Sequence, residues 1–399
     1  MSVTAPTGFS AAGIACGIKD GDRPDLALVA THDHRPVAAA GVFTSNKMTA
    51  APVVVSRRHL AATGGRAAAV VLNSGNANAA TGEQGLADAD EMCALTADAL
   101  GVHPTEVLVC STGLIGFALP MDALRAGIPR VADALAPDGG LDAATAIMTT
   151  DTVEKVATAV RKLPDGSVFT VGGIAKGAAM LEPDMATMLA VCTTDAAVEP
   201  AELHAALERA VSGTFNTLTV DGAQSTNDTV LVLAGGAAGP VPGELFVDAL
   251  TEVCRSLAVQ MADDAEGSTK TVFLRVRGAA TDAEAARAAR DTANCQLVKC
   301  SWYGEDPYWG RIASEMGAAG VTFDPATLTI AYGDHVVYRH GEPVPVGSGP
   351  GLLDAGALAD YMTRRHLHLT VDLGQGEGEA LIITTDLTHA YIDENMRTS

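Results

Sequence analysis

The sequence predicts an α/β fold (mixed α+β) in which mixed β-sheets are layered with helices. Short β-rich apolar segments alternate with longer Ala-rich segments of helical spacing. A hairpin signal stands beside strand-to-helix segments, which predicts both antiparallel and parallel strand pairing. At 399 residues the chain exceeds one ordinary core, so two domains or one large α/β unit are expected.

The N-terminal half contains two strands that run into polar, glycine-containing turns. The segment "AAAVVL" (67–72) reads as a buried strand that ends in a Gly/Asn turn region over 73–82. A helix is predicted over 85–101, where apolar residues recur at helical spacing before a glycine. "VLVC" (107–110) is a second strand, and it delivers the chain into Ser111, Thr112 and Gly113.

The middle and C-terminal parts continue the alternation. A hairpin is predicted around Pro164 to Gly166, with a return strand that ends at 172–173. Helices are predicted over 201–211 and 245–265, and a Pro/Gly connector over 341–351. Four strand-like segments fill the C-terminal third: "TVFLRVRG", "LTIAYGDHVVY", "HLHLTVDLG" and "EALIITTDLT".

Charge and hydropathy disfavour several classes of partner. The formal net charge of −22 repels phosphate backbones and anionic bilayers, so neither nucleic acid nor membrane is expected as a partner. The longest apolar runs fall far short of the roughly 20 residues that a bilayer span needs. The first residues lack the pattern of a signal peptide, so a cytoplasmic protein is expected.

Cysteine and histidine spacing does not predict a metal site. The seven cysteines are scattered without C-x-x-C spacing, which favours reduced thiols in the core. His366 and His368 share one face of a predicted strand, but no third ligand is near, so a solvated face is the preferred interpretation. No nucleotide loop or G-x-S-x-G elbow is present either: "GGIAKGAA" lacks G-K-[ST], and "DLGQGEGEAL" lacks G-x-G-x-x-G spacing.

The segment "MLEPDMATML" (180–189) places one threonine, Thr187, in an apolar run. A half-buried structural threonine is the ordinary interpretation. An alcohol becomes a useful nucleophile when a base stands beside it, and cutting the Ala186–Thr187 bond would supply the α-amine of Thr187 as that base. Such an amine has a pKa of about 7.7–8.0, so part of it is unprotonated at neutral pH. Ala186 is small and Pro183 stiffens the approach, which suits self-cleavage at this bond.

Motifs along the whole chain closely resemble the ornithine acetyltransferase (glutamate N-acetyltransferase) family of arginine biosynthesis. They run from "TAPTGFSAAGIACGIK" through "NSGNANAATG", "CSTGLIG", "AIMTTDT", "GGIAKGAAMLEPDMATML", "STNDT", "DDAEGSTK" and "DPYWGRI" to "DLTHAYIDEN". The resemblance implies a self-cleaving N-terminal-nucleophile acyltransferase with mixed sheets layered with helices. Its α chain would be 1–186 and its β chain 187–399, associated as an α2β2 or larger oligomer.

The resemblance also implies a ping-pong reaction. Thr187 would take the acetyl group from N-acetylornithine and pass it to glutamate, with acetyl-CoA as a second candidate donor and no metal or organic cofactor. Thr112 and Gly113 would stabilise the oxyanion. The residues carried over as substrate-binding are Thr149, Lys176, Thr187, Glu266, Asn395 and Ser399. In this scheme Lys176 meets a substrate carboxylate, and Glu266 faces a substrate amino group.

The sequence departs from the family pattern at several points. The tail ends four residues past Asn395 instead of five, which leaves Thr398 or Ser399 for the C-terminal contact. Tyr308 stands where Asn is usual, and Ala223 and Gln224 stand where an acid usually comes first. The form "LEPDMAT" is similar to a branch associated with β-lactam pathways. A specialised paralogue that acts on another N-acyl amino acid is therefore an alternative.

Two further hypotheses follow from the same residues. An N-terminal-nucleophile aminopeptidase of similar architecture would pass the acyl group to water. An uncleaved binding protein for acidic metabolites would use the same pocket without chemistry.

Overall fold

A computed structural model describes residues 2–182 and 188–396 of the chain. The described residues form two compact units. The first covers 2–182, 188–216 and 223–261, and the second covers 217–222 and 262–396. The predicted boundary between 186 and 187 lies outside the described residues and stays a prediction.

The first unit contains two mixed sheets. Its strands are β1 (Phe9–Ile14), β2 (Leu26–Thr31), β3 (Val37–Phe43), β4 (Arg66–Ala67), β5 (Ala69–Asn76), β6 (Val107–Leu114), β7 (Lys155–Lys162), β8 (Val168–Lys176), β9 (Leu189–Ala197) and β10 (Thr229–Pro240). The four-stranded sheet has the order β1-β2-β5-β6, and only β5 and β6 are parallel in it. The six-stranded sheet has the order β4-β3-β10-β9-β8-β7, and only β10 and β9 are parallel.

Alternating side chains of β5 show how these sheets are layered. Val70 packs in a core shared with Val191 of β9, so the two sheets face each other. Val71 points to the opposite face and packs in a second core with Met92 and Leu124. The helices of this unit are α1 (Ala51–Ala62), α2 (Gly82–Leu100), α3 (Met121–Asp133), α4 (Gly140–Ala146), α5 (Pro200–Ser212) and α6 (Gly243–Asp263).

Helices therefore cover both outer faces of the paired sheets. α1, α2 and α3 contribute to the outer core of the four-stranded sheet. On the six-stranded sheet, a Cβ at Gly173 of β8 would lie 3.0 Å from the Val253 side chain of α6, so this helix packs closely against the strand. The order of layers is helices, sheet, sheet, helices.

The second unit is built on one six-stranded sheet with the order β14-β13-β12-β15-β11-β16. Its strands are β11 (Thr271–Ala279), β12 (Thr329–Tyr332), β13 (His335–Arg339), β14 (Glu342–Pro343), β15 (His366–Asp372) and β16 (Gly378–Thr385). Its helices are α7 (Asp282–Asn294), α8 (Gln296–Tyr303), α9 (Trp309–Ala318), α10 (Ala355–Met362) and α11 (His389–Asn395). The core of this unit contains the fully buried Trp302 and Tyr332.

The predicted α/β class with mixed sheets is confirmed, and the predicted helices exist with shifted bounds. The segment "LTIAYGDHVVY" forms two strands, β12 and β13, and the predicted connector over 341–351 contains the short strand β14. One strand end was wrong: β8 continues to Lys176 instead of ending at 172–173. Gly172 and Gly173 pair with β9, and a Cβ at Gly172 would lie 2.1 Å from the Ser2 carbonyl oxygen. These glycines therefore permit close approach within the strand and do not break it. The predicted turn region also begins late, because β5 extends to Asn76.

All seven cysteines are free thiols. Cys93, Cys110, Cys192 and Cys254 are buried as expected, but Cys300 is exposed on α8, so the expectation of a core thiol was wrong there.

Both histidines of β15 contact protein groups. His366 lies 2.8 Å from Asp263, and the His368 ring stacks on Phe273 with ring centroids 4.8 Å apart. Among the described residues, no group of His, Cys, Asp and Glu has the arrangement needed to hold a metal ion. None of the helices within 2–182 and 188–396 is long and apolar enough to cross a membrane.

The turn before α4 gives a test of the packing. A Cβ at Gly139 would lie 2.0 Å from the Ala11 carbonyl oxygen of β1, whereas a Cβ at Gly213, which follows α5, would meet nothing within 4 Å. We expect Gly139→Ala to lower the free energy of unfolding by about 1–3 kcal/mol because the backbone must shift. The control Gly213→Ala should change it by less than about 1 kcal/mol in urea titrations. Equal effects of both variants would contradict the close approach.

Candidate active site

Thr112 and Gly113 lie near the end of β6, where this strand runs parallel to β5. Gly113 has φ +131, and a Cβ there would lie 2.3 Å from the carbonyl carbon of Gly75. Only glycine fits this conformation and this spacing. Thr112 is 3% exposed, and no other described residue hydrogen-bonds its hydroxyl. The two predicted oxyanion donors are therefore adjacent at a strand end, one of them with an uncommitted hydroxyl.

A turn after α4 brings Thr149 and Lys176 together. The Lys176 ammonium at the end of β8 donates to the Thr149 hydroxyl over 2.7 Å. The Asp151 carboxylate accepts the backbone N–H of Thr149 at 3.0 Å and that of Gly177 at 2.8 Å. The turn is thereby fastened to the end of β8 from both sides.

Asp151 is the electrostatic centre of this cluster. Its carboxylate lies 2.7 Å from the ammonium of Lys155 and 3.6 Å from that of Lys176, and all three side chains are buried. Burial by itself would raise the pKa of Asp151, but the charges of Lys176 and Lys155 outweigh it and hold the pKa well below its usual range. Sequence reasoning quoted Asp151 within "AIMTTDT" but assigned it no role.

A cavity of about 340 Å³ lies beside these donors in the first unit. Its wall combines the loop residues Ile18–Asp20 and Arg23 with Gly75, Gly113, Leu114, Thr149 and Thr150. Lys176 is not among the lining residues and is 3% exposed, but it donates a hydrogen bond to Thr149, which lines the cavity. Two cations of the N-terminal loop, Lys19 and Arg23, line this cavity, and sequence reasoning assigned a role to neither, although Lys19 lies within "GIACGIK".

Asp228 of "STNDT" is a second missed residue. Its Oδ1 accepts the N–H of Met188 at 3.0 Å, and Met188 directly follows Thr187 in the chain. No residue in the described ranges hydrogen-bonds its buried Oδ2. Burial raises the pKa of Asp228 well above its usual range, although the Met188 N–H and the nearby hydroxyls of Ser225 and Thr44 lower it. The sequence feature that could have indicated Asp228 is the presence of one acid in an otherwise apolar and hydroxyl-rich segment.

Glu266 and Asn395 meet in the second unit. The Asn395 amide donates to Glu266 Oε2 over 2.7 Å, and Glu266 is 8% exposed. The predicted pair is thus brought together within its own unit. Thr187, Ala186 and Ser399 lie outside the described residues, and their predicted roles stay predictions.

Backbone and hydroxyl donors beside a cavity with a cationic wall suit an enzyme that transfers acyl groups between carboxylate-bearing substrates. Comparison with known proteins identifies the family. The ArgJ family model matches residues 10–398. The chain belongs to the ArgJ family, which confirms the predicted class, an acetyltransferase of arginine biosynthesis, and the predicted type of fold.

Curated relatives align along nearly the full chain. The arginine biosynthesis bifunctional protein ArgJ of Symbiobacterium thermophilum is 47% identical over 402 residues, 98% of this chain and 97% of the relative. The protein of the same name from Mycobacterium tuberculosis strain H37Rv is 47% identical over 403 residues, 99% of this chain and 96% of its own.

Two solved structures from this family align with about half of the chain. Crystalline ArgJ from Bacillus halodurans is 41% identical, covers 47% of this chain and 95% of its own, and has a TM-score of 0.43. Ornithine acetyltransferase from Mycobacterium tuberculosis, complexed with ornithine, is 46% identical, covers 46% of this chain and 94% of its own, and has a TM-score of 0.40.

The buried Asp151 cluster predicts a pH-dependent stability. We expect Asp151→Asn to lower the free energy of unfolding at pH 7 by about 3–5 kcal/mol, because two buried ammonium groups lose their counter-charge. Because its folded pKa is depressed, the stabilisation by Asp151 is present above the unfolded pKa of about 3.9 and is lost as the pH falls below it. The difference between wild type and variant should therefore shrink at acidic pH in urea titrations.

The exposed Asp138 is the matched control. Asp138→Asn should change the free energy of unfolding by less than about 0.5 kcal/mol at either pH. An Asp151→Asn protein as stable as wild type at pH 7 would contradict the role of Asp151.

Proposed function

We propose that the protein transfers an acetyl group from N-acetylornithine to glutamate through Thr187, after self-cleavage at Ala186–Thr187. The observation that carries the proposal is the 47% identity, over 98% of the chain, with a bifunctional ArgJ protein. The proximity of Thr112, Gly113 and a cation-lined cavity in the first unit supports it.

Cleavage comes first in this proposal. The Thr187 hydroxyl attacks the Ala186 carbonyl and displaces its own nitrogen, which takes the hydroxyl proton and leaves as the neutral α-amine. Water then hydrolyses the resulting ester. The products are an α chain of 1–186 with a free carboxylate and a β chain of 187–399 that begins with Thr187. The new α-amine is then the general base for every later step.

Acetyl transfer follows in two halves. The Thr187 oxygen attacks the acetyl carbonyl of N-acetylornithine, its proton passes through the α-amine to the leaving nitrogen, and ornithine departs. The amine of glutamate then attacks acetyl-Thr187 and regenerates the alcohol. The Thr112 hydroxyl and the Gly113 N–H bind the oxyanion of both tetrahedral intermediates, and loss of one such donor typically costs about 10²–10³ in rate. Acetyl-CoA is a second candidate donor for the first half.

Charged contacts would orient the substrates. Lys176, held by Thr149, binds the α-carboxylate that both substrates share. Glu266, held by Asn395, faces a substrate amino group. Thr398 or Ser399 supplies the C-terminal contact. We further propose that the α and β chains stay associated, as α2β2 or larger, in the cytoplasm.

The competing activities differ in their acceptors. An aminopeptidase would release acetate or an acyl acid at a rate independent of glutamate. A specialised paralogue would form acyl-Thr187 from another N-acyl amino acid faster than from N-acetylornithine. Acceptor dependence and donor preference therefore separate the three enzymes.

The nucleophile is tested by two substitutions. Thr187→Ala should give one uncut chain without transferase activity, because cleavage and transfer use the same hydroxyl. Thr187→Ser should still cleave but more slowly, because serine lacks the methyl group that restricts χ1. Intact-mass spectrometry reads out the fragments, and a transient gain of one acetyl group on the 187–399 fragment should appear with N-acetylornithine alone. Two fragments from Thr187→Ala would refute the assignment.

Lys176 is tested as a substrate contact. We expect Lys176→Met to cleave normally, because cleavage involves no substrate and Asp151 keeps its ion pair with Lys155. Use of both N-acetylornithine and glutamate should weaken by roughly 2–5 kcal/mol, the cost of removing one member of a desolvated charge pair. The control is Lys162→Met, which removes an exposed lysine at the end of β7. A folded Lys176→Met protein that fails to cleave, or that uses both substrates normally, would assign Lys176 a different role.

A further inference from the structure

The loop before β2 is built around a buried carboxylate. Asp25 is 0% exposed and accepts the backbone N–H groups of Cys16, Gly17, Ile18 and Lys19 at 2.7–3.1 Å. Burial opposes the ionisation of Asp25, yet these donors hold its pKa below the usual range. The loop is therefore fixed in place, and it places Lys19 at the wall of the 340 Å³ cavity beside Gly113 and Thr149.

The ammonium of Lys19 is held at the same turn as that of Lys176. Lys19 donates to the Met148 carbonyl at 2.6 Å and to the Pro24 carbonyl at 2.8 Å, while Lys176 donates to Thr149, the next residue along the chain. No residue in the described ranges accepts the third N–H of Lys19. The ammonium groups of Lys19 and Lys176 thus converge on two consecutive residues. Lys19, which lines the cavity, retains one N–H that no described residue accepts.

We propose that Lys19 binds the side-chain carboxylate of the acceptor, and that it selects a dicarboxylic amino acid. This inference rests on the proposed function, in which the acceptor is glutamate. The donor N-acetylornithine carries one carboxylate, which Lys176 meets, so a second cation exceeds what the donor requires. Glutamate carries two carboxylates, and two lysines at one turn match that number.

The electrostatics of the cavity favour an anion at Lys19. Lys19 and Arg23 are cationic and Asp20 is the one acid among the lining residues, so the wall carries a net positive charge. Burial lowers the pKa of Lys19, Arg23 and Lys176 lower it as well, and Asp25 and Asp151 raise it, so that the pKa is about 8 overall. A carboxylate bound beside it would restore the charged form, since an opposite charge at short range favours ionisation.

The test separates acceptor choice from the rest of the reaction. The purified, self-cleaved protein is assayed as wild type, Lys19→Met and Lys19→Arg, with N-acetylornithine as donor and either glutamate or glutamine as acceptor. Glutamine has the same length but no side-chain charge. We expect Lys19→Met to reduce kcat/KM for glutamate by roughly 10- to 100-fold and to change that for glutamine by less than about threefold. Lys19→Arg should retain most of the preference for glutamate.

The first half-reaction controls for a structural role. Ornithine release in a single turnover without acceptor should not fall in Lys19→Met, because the side chain of the donor ends in an ammonium group and makes no ion pair with Lys19. An unchanged glutamate-to-glutamine ratio would overturn the proposal. So would an equal loss with both acceptors and in ornithine release, because a loop that merely lost its anchor would affect every step. A wild-type protein that forms no acetyl-Thr187 would refute the proposed function itself, whatever Lys19 does.

Discussion

The buried carboxylate of Asp151 fixes the geometry of the candidate site in the first unit. It joins the turn after α4 to the end of β8 through the N–H groups of Thr149 and Gly177, and it neutralises two ammonium groups. A buried ion pair contributes little net stability, but breaking it leaves an uncompensated charge, so the arrangement resists change. Asp151 therefore fixes the positions of Thr149 and Lys176, because moving the turn or the end of β8 away from Asp151 would leave a buried charge uncompensated.

The distribution of charge distinguishes this site from the rest of the molecule. The chain has 26 basic and 48 acidic residues, yet Lys19, Lys155 and Lys176 converge near one turn. Such a concentration of cations in an acidic protein attracts small carboxylates and not polyanions, because the surrounding surface repels a long chain of phosphates. The site therefore agrees with small amino-acid substrates.

Backbone groups near the strand ends form the rest of the candidate site. Gly75 and Gly113 pair across the parallel strands β5 and β6, and their lack of side chains allows the backbones to approach each other at the cavity wall. On the facing sheet, Asp228 holds the N–H of Met188 at the start of β9, one residue after Thr187. A buried acid that holds the backbone of Met188 is a costly feature that sequence propensity does not explain, and a role in fixing the chain at this point accounts for it.

The sequence by itself determined the mixed α/β class, the hairpin of β7 and β8, the position of Thr112 and Gly113 near a strand end, and the family. These features follow from local periodicity, turn residues and short motifs, all of which involve residues close together in the chain. Only the tertiary structure decided that β8 runs on to Lys176, that Asp151 compensates this lysine, and that Lys19 and not Lys176 faces the cavity. Each of these depends on groups far apart in the chain, such as Lys19 and Met148 or Gly172 and Ser2. Burial and long-range hydrogen bonds determine these positions, and a single sequence contains no local signal for burial or for a long-range hydrogen bond.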